Sequence, residues 1–312
     1  MPLHIIMNIL VKVPATTANL GPGFDALGLA LDLWNEATFM PTDDFHVEIE
    51  GEGADRLPAD QRNAIVDAAL QVYRLAGKKC NGLHIRCINR IPLTSGLGSS
   101  SAAMLAGLLG ANALLGEPFS RAELLKVSIE NEGHPDNVAP AMLGGLVAST
   151  IVDGKIVAHK MNVRPMAITV VTPDFHFPTK QARAALPKQI PMKDAVYNVS
   201  RAVLVTKAFE CGDLELLGQV MDDKLHQPYR LPLIPGALEA MDAAKRAGAA
   251  AVALSGAGPS LIAFSSKHEH ENEIGEAMKR TFESFGLSAR VFELGVSEEG
   301  ARVESVIGGD LC

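Results

Sequence analysis

The chain has 312 residues, 47% hydrophobic and 21% charged, with a formal net charge of −8 at pH 7. That length allows one large or two ordinary domains and a core that needs no disulfide staples. The acidic balance lacks the basic footprint of a nucleic-acid binder. No stretch approaches the ~18 uninterrupted apolar residues of a membrane span.

The four cysteines, Cys80, Cys87, Cys211 and Cys312, show neither metal-finger nor C-x-x-C spacing. They read as idle thiols of a reducing compartment, and the expected location is the cytoplasm. The first segment, MPLHIIMNILVKV, is interrupted by His4, Asn8 and Lys12. It predicts a first strand rather than a secretory leader.

Residues 62–76 place Ile65, Ala68, Ala69, Val72 and Leu75 at helical spacing, with Gly77 as the stop. Leu83 to Ile88 alternates, with Leu83, Ile85 and Cys87 on one face and His84 and Arg86 on the other, which predicts a strand. The Ala-, Leu- and Met-rich run from Ser100 to Leu115 predicts a helix ending at Gly116. Ser120 and Glu123 form an S-x-x-E capping box that opens the next helix. Residues 146–160 predict a hairpin turning at Asp153-Gly154, followed by a strand at 167–173. Helical segments are expected near 194–210, 213–226 and 236–247. Strands at 251–255 and 261–265 flank a glycine loop, and a helix at 269–285 and a strand at 289–295 follow. The tail after Val303 reads as loose. No polar linker marks a boundary, and the softest division falls near Arg164-Pro165. The pattern predicts an α+β protein of two layered domains, 8–164 and 165–303, with a tail at 304–312.

The segment PLTSGLGSSSA, Pro92 to Ala102, lies between a predicted strand and a predicted helix. Gly96 and Gly98 let backbone approach a ligand closely. Ser99, Ser100 and Ser101 add hydroxyl donors, and the helix that follows offers free N–H groups and its positive dipole end. These features suit phosphate oxygens. A Walker A loop is excluded because no Lys follows the glycines. A dinucleotide fingerprint does not fit either: Ser101 holds the third glycine position, and the downstream acid, Glu117, falls in a turn.

Three further segments accompany this loop: VPATTANLGPGFDALGLAL (Val13 to Leu31), ENEGHPDNVAPAMLGGL (Glu130 to Leu146) and LSGAGPSLIAF (Leu254 to Phe264). In order and spacing the four blocks resemble the signature blocks of the GHMP kinases, from Lys12 to about Phe292. Asn-Leu-Gly before Gly-Phe-Asp, with His-Pro-Asp-Asn, is similar to the branch of that family that acts on homoserine.

The resemblance implies a two-domain GHMP kinase fold, with an N-terminal domain like ribosomal protein S5 domain 2 and a C-terminal ferredoxin-like α+β layer. It implies transfer of the γ-phosphoryl group of ATP to the side-chain hydroxyl of L-homoserine, with Mg²⁺, in a homodimer.

By the resemblance, nucleotide phosphates meet Pro92, Leu93, Thr94, Ser95, Gly96, Leu97, Gly98, Ser99, Ser100, Ser101 and Ala102. Gly256, Ala257 and Gly258 form a second glycine turn nearby. Asn19 and Asp25 hold the amino acid, and Asp25 suits an ammonium group chemically. Arg183 and Arg230 lie near carboxylate and phosphates, Thr179 lines the pocket, and His134 sits beside the substrate. Asn137 hydrogen-bonds the reacting hydroxyl. Ser100 and Glu130 are the implied Mg²⁺ ligands, with Glu132 a close rival to Glu130.

One departure concerns Asp136. Other branches pair this Asp with a basic residue near the first block, but Pro14-Ala15-Thr16-Thr17-Ala18 contains no Lys or Arg. Catalysis by alignment and charge neutralisation is therefore expected, with Asp136 as general base the alternative.

Overall fold

A computed structural model describes residues 7–266 and 271–307. The strands are β1 (Met7–Ala18), β2 (Leu27–Pro41), β3 (Phe45–Gly51), β4 (Leu83–Asn89), β5 (Leu146–Val152), β6 (Lys155–Met161), β7 (Ala167–Pro173), β8 (Ala251–Leu254), β9 (Leu261–Ser265), β10 (Ala289–Leu294) and β11 (Arg302–Ile307). The helices are α1 (Ala64–Leu75), α2 (Ser99–Leu114), α3 (Arg121–Glu132), α4 (Val138–Leu143), α5 (Thr179–Ala184), α6 (Met192–Cys211), α7 (Leu214–Val220), α8 (Gln227–Arg230), α9 (Ala237–Arg246) and α10 (Glu271–Ser284).

Among the described residues there are two sheets. The first runs β11-β1-β2-β4-β3, with β5 added to β2 and β6 to β5. The second runs β10-β7-β9-β8. The chain passes from one to the other between Met161 and Ala167, and β11 returns to the first sheet.

Local sequence explains much of this. Leu83, Ile85 and Cys87 of β4 are buried while His84 and Arg86 face outward, as period-two patterning requires. In α1 the residues Ile65, Ala68, Ala69 and Val72 form the buried stripe, and Asn63 caps it by accepting from Ile65 N–H. Ser120 and Glu123 make both capping-box bonds of α3. The β5–β6 hairpin turns on Asp153 (φ 50°) and Gly154 (φ 70°), the left-handed pair of a two-residue turn. Helix α2 is buried on most sides, so its hydrophobicity shows no stripe.

Two expectations need correction. A helix over 213–226 is not formed: α7 ends at Val220. The Asp223 carboxylate accepts from the N–H groups of Leu225, His226 and Gln227 at 2.6–2.8 Å, which turns the chain and starts the short α8. The tail is not loose from 304 to 307. Residues Arg302–Ile307 pair antiparallel with Lys12–Met7, so β11 forms an edge with Val303 half-buried. Residues 308–312, and the first two of the expected helix 269–285, lie outside the described residues.

Candidate active site

Where the two sheets' layers meet, a cleft of about 750 Å³ opens to solvent. One wall is the phosphate loop. Gly96 (φ 83°) and Gly98 (φ 72°) both sit in the left-handed region. A Cβ at Gly96 would lie 2.2 Å from Ser255 O, and one at Gly98 would lie 2.1 Å from Thr16 Oγ1. Backbone blocks a side chain at Gly96, so that glycine is required by contact as well as by φ, and at Gly98 a side chain would also displace the Thr16 hydroxyl from Asn137. Gly98 is the N-cap of α2 and makes no side-chain cap, so the first N–H groups of a 16-residue helix face the cleft unclaimed.

The opposite wall comes from the second sheet. Ser255 Oγ donates to Gly96 O (2.8 Å), Gly256 N–H donates to Ala18 O (3.1 Å), and Ser260 N–H donates to Ser95 O (3.1 Å). The turn at Gly256, Ala257 and Gly258 is thereby bolted to the phosphate loop and shares its cleft.

Polar side chains converge between these walls. Asn19 donates to Gly256 O (2.7 Å) and accepts from Asp25 N–H (3.0 Å). Asp25 takes a two-point ion pair from Arg183 on α5, at 2.8 and 3.1 Å. Arg230 on α8 is 1% exposed. Its guanidinium meets the carbonyls of Ala182 and Gly256 (3.3 Å each) and His226 Nδ1 (3.4 Å). Phe24 packs under both cations, 5.9 Å from Arg183 and 5.3 Å from Arg230. No carboxylate is paired with Arg230 among the described residues. Burial, then the neighbouring Arg183 charge, brings Arg230 down to about 10, so it stays cationic at neutral pH. Asp25, Asp136 and Asp223 favour the cation from a distance, but a buried guanidinium with no carboxylate in direct contact is costly, and this one lines a cleft that a ligand anion can enter.

The chain between α3 and α4 supplies the third side. Asp136 is 2% exposed, and His134 Nδ1 lies 2.6 Å from its Oδ1. Burial pushes the His134 imidazole down, but the hydrogen bond and charge of Asp136 outweigh it and hold its pKa above the ordinary value. Thr16 donates to Asn137 Oδ1 (2.9 Å), which fixes the amide. Four of the six described non-glycine residues with positive φ, namely Asn19, Leu20, Asp25 and Thr94, border this region. Strain of this sort collects at ligand sites.

The cleft therefore brings together Asn19, Asp25, Thr94, Ser95, Gly96, Gly98, Ser99, Ser100, Ser101, His134, Asp136, Asn137, Thr179, Arg183, Arg230, Gly256 and Gly258. It does not contain every expected residue. Leu97 and Ala102 are fully buried in the core, and Pro92 and Leu93 line a neighbouring cleft with Glu52 and Arg56. These four contribute no side chain to the cleft.

Glu130 is a second correction. It is exposed and pairs with Lys126 at 3.8 Å, one helical turn away on the solvent face of α3. Glu132, the expected rival, is the carboxylate that reaches the loop: its Oε1 accepts from Ser101 Oγ (2.8 Å) and lies 3.4 Å from Ser100 Oγ. No Lys or Arg neutralises Glu132 among the described residues. A carboxylate with two hydroxyls beside a phosphate cradle suits a hard divalent cation such as Mg²⁺.

Thr16, Phe24 and Asp223 also position this site, and no single-residue signal marked them. A small recess lined by Ile49, Leu57, Cys87, Ala102 and Ala106, with Asn35, Asn63 and Asn89 at its polar side, lies beside the first turn of α2.

A phosphate cradle at a helix N-terminus, an unneutralised carboxylate and a two-sign pocket alongside define a phosphoryl-transfer enzyme for small molecules. Family models agree: the GHMP kinases N terminal domain matches residues 63–145 and the GHMP kinases C terminal domain matches 205–284. The chain belongs to the GHMP kinases and has their two-domain fold. It is 45% identical to the homoserine kinase of Moorella thermoacetica, covering 94% of this chain and 99% of that one. It is 42% identical to that of Carboxydothermus hydrogenoformans, covering 94% and 96%. Its fold superimposes on the crystal structure of homoserine kinase from Cytophaga hutchinsonii with a TM-score of 0.86, at 33% identity over 97% and 99% of the two chains. Among the described residues no helix is long and apolar enough to cross a membrane.

Proposed function

We infer that this enzyme transfers the γ-phosphoryl group of ATP to the side-chain hydroxyl of L-homoserine, giving O-phospho-L-homoserine on the way to threonine. The observation that carries this reading is the two-sign pocket. Asp25 offers a carboxylate to the substrate ammonium, while Arg183 and the unpaired Arg230 offer guanidinium forks to its carboxylate. An uncharged sugar or alcohol would leave the Arg230 cation unanswered and would gain nothing from the Asp25–Arg183 pair.

The backbone N–H groups from Gly96 to Ser101 hold the nucleotide phosphates. The recess beside α2, apolar on one side and lined by Asn35, Asn63 and Asn89 on the other, is the place for the base. Glu132 with Ser100 or Ser101 would hold Mg²⁺, which when bound supplies charge neutralisation between the phosphates. Asn137, fixed by Thr16, orients the acceptor hydroxyl.

His134 and Asp136 shape the pocket, and Asp136 acts as a positioning residue. Its carboxylate is occupied by His134, and no base-activating Lys or Arg stands at 14–18. Asp136→Asn should therefore lower kcat only about tenfold, against about a thousand-fold, ~4 kcal/mol, for a lost general base.

The same variant has a pH signature. His134 has a raised pKa in the fold. Its pairing with Asp136 contributes stability in full below the unfolded imidazole value of about 6.5. That contribution is lost as pH rises through the folded value. The stability gap between wild type and Asp136→Asn should narrow as pH is raised. A gap constant with pH would show that His134 does not draw its charge stabilisation from Asp136, and a thousand-fold loss of kcat would make Asp136 the base.

The function itself is tested by coupled ADP release with MgATP. Release should require homoserine and exceed that with mevalonate or galactose. Turnover of another alcohol in preference to homoserine would overturn the assignment.

Two further features are proposals. The exposed apolar stripe Met192, Val196, Val199 and Val203 along α6 supports a homodimer, which sedimentation velocity reads directly. The free thiols Cys80, Cys87 and Cys211 support a reducing, cytoplasmic location, which cell fractionation reads.

A further inference from the structure

The solvent face of the first sheet carries a second chemically distinct cluster. Strands β3 and β4 run parallel in a register that sets His46 directly opposite His84. Val47, Leu83 and Ile85, which alternate with them, fill the core, so the two imidazoles stand on the outer face. Their ring centroids are 5.3 Å apart. Glu48, two residues along β3, sends Oε1 to 3.1 Å from His84 Nε2 and 3.9 Å from His46 Nε2. One ligand atom from each of the three residues lies within 4.8 Å of the others.

Two details separate this cluster from an ordinary surface pair. His84 Nε2 is buried and makes no hydrogen bond, because its approach to Glu48 lies outside hydrogen-bonding geometry. Buried polar atoms in native folds almost always have a partner, and an orphan calls for an explanation. Arg86, the register partner of Glu48, is directed at Glu50 instead, at 3.9 Å. Glu48 is thus left to the imidazoles.

We propose that His46, Glu48 and His84 form a binding site for a borderline divalent cation of the zinc class, with water completing the coordination. Two imidazole nitrogens and one carboxylate oxygen are a donor set for zinc rather than for magnesium or calcium. Tetrahedral zinc with ligand bonds of about 2.0–2.1 Å places neighbouring donor atoms about 3.3 Å apart. The Glu48–His84 separation already matches, and His46 needs only a side-chain rotation to close. The ligands sit on paired strands, so little chain must be ordered on binding. The ion would tie the edge strand β3 to β4, where unpaired backbone groups are most exposed.

The test starts from protein stripped with a chelator, titrated with zinc chloride and, separately, with cobalt(II) chloride as a visible probe. One zinc ion should bind per chain. At about a hundred-fold excess over Kd the melting temperature should rise by about 4 °C. Cobalt should develop the intense visible bands of a low-coordinate site. His84→Asn and Glu48→Gln should each weaken zinc binding about a hundred-fold. Their circular dichroism and zinc-free, homoserine-dependent turnover should remain at the wild-type level. The proposal fails if zinc does not bind at about 100 μM. It fails equally if His84→Asn binds zinc as the wild type does, since the ion would then belong to the Asp25, His134 and Asp136 group or to the thiols.

Discussion

Glu132→Gln is expected to lower kcat/KM about a thousand-fold, ~4 kcal/mol of transition-state stabilisation, while Glu130→Gln stays within about twofold of wild type. The contrast follows from helix geometry. Two residues apart on α3, these carboxylates point some 200° away from each other around the axis. Glu130 reaches Lys126 in solvent, and its surface ion pair is worth little. Glu132 reaches the serines of the phosphate loop. On the proposed reading, removing its charge removes a hard ligand for Mg²⁺ beside the phosphates. Raising Mg²⁺ concentration should recover part of the activity of Glu132→Gln and none of that of an otherwise damaged fold. Equal losses in both variants, or no loss in Glu132→Gln, would remove Glu132 from the metal site.

That pair of glutamates shows where the sequence stops being readable. The motif around His134-Pro135-Asp136-Asn137 localises the acid to the end of α3. The choice between two positions then depends on where the helix breaks, and that is set by Gly133 at φ 85° and by packing on α2. Local signals were sufficient elsewhere: the capping box of Ser120 and Glu123, the Asp153-Gly154 turn and the alternation of β4 all describe contacts within a few residues. Features built from distant chain were not legible. β11 needs β1, almost 300 positions earlier, to become a strand. The stop after α7 depends on an Asp223 carboxylate that is itself held by Asn198. The burial of Arg230 comes from Phe24, Ala182 and Gly256, none near it in sequence, so its pattern could not distinguish a solvated arginine from an anion receptor. The phosphate loop was legible because part of its requirement is local, two glycines at positive φ before a helix start, while the contacts with Thr16 and Ser255 that also exclude a side chain there were not.

The two-sign pocket gives the second large effect. Asp25→Asn and Arg183→Met should each raise the homoserine KM about a hundred-fold and leave kcat within about threefold. In the proposed binding mode both interactions are made to groups that do not react, so they would bind ground state and transition state alike. A charge-assisted hydrogen bond of this type is worth about 1.5–3 kcal/mol, and the partial exposure of both side chains (34% and 37%) argues for the lower half of that range before the second bond of the fork is counted. In the free protein the two residues neutralise each other, so each single variant leaves an uncompensated charge. The double variant should consequently lose less than the product of the two single losses. The decisive comparison uses 4-hydroxybutyrate, which keeps the hydroxyl and carboxylate of homoserine but has no ammonium. Against that substrate Asp25→Asn should match or exceed the wild type, because the Asp25 carboxylate no longer competes with the substrate's own for Arg183. Arg183→Met should lose activity toward both. If Asp25→Asn instead lost 4-hydroxybutyrate turnover in proportion to homoserine turnover, Asp25 would be a structural partner of Arg183 and not the receptor for an amine.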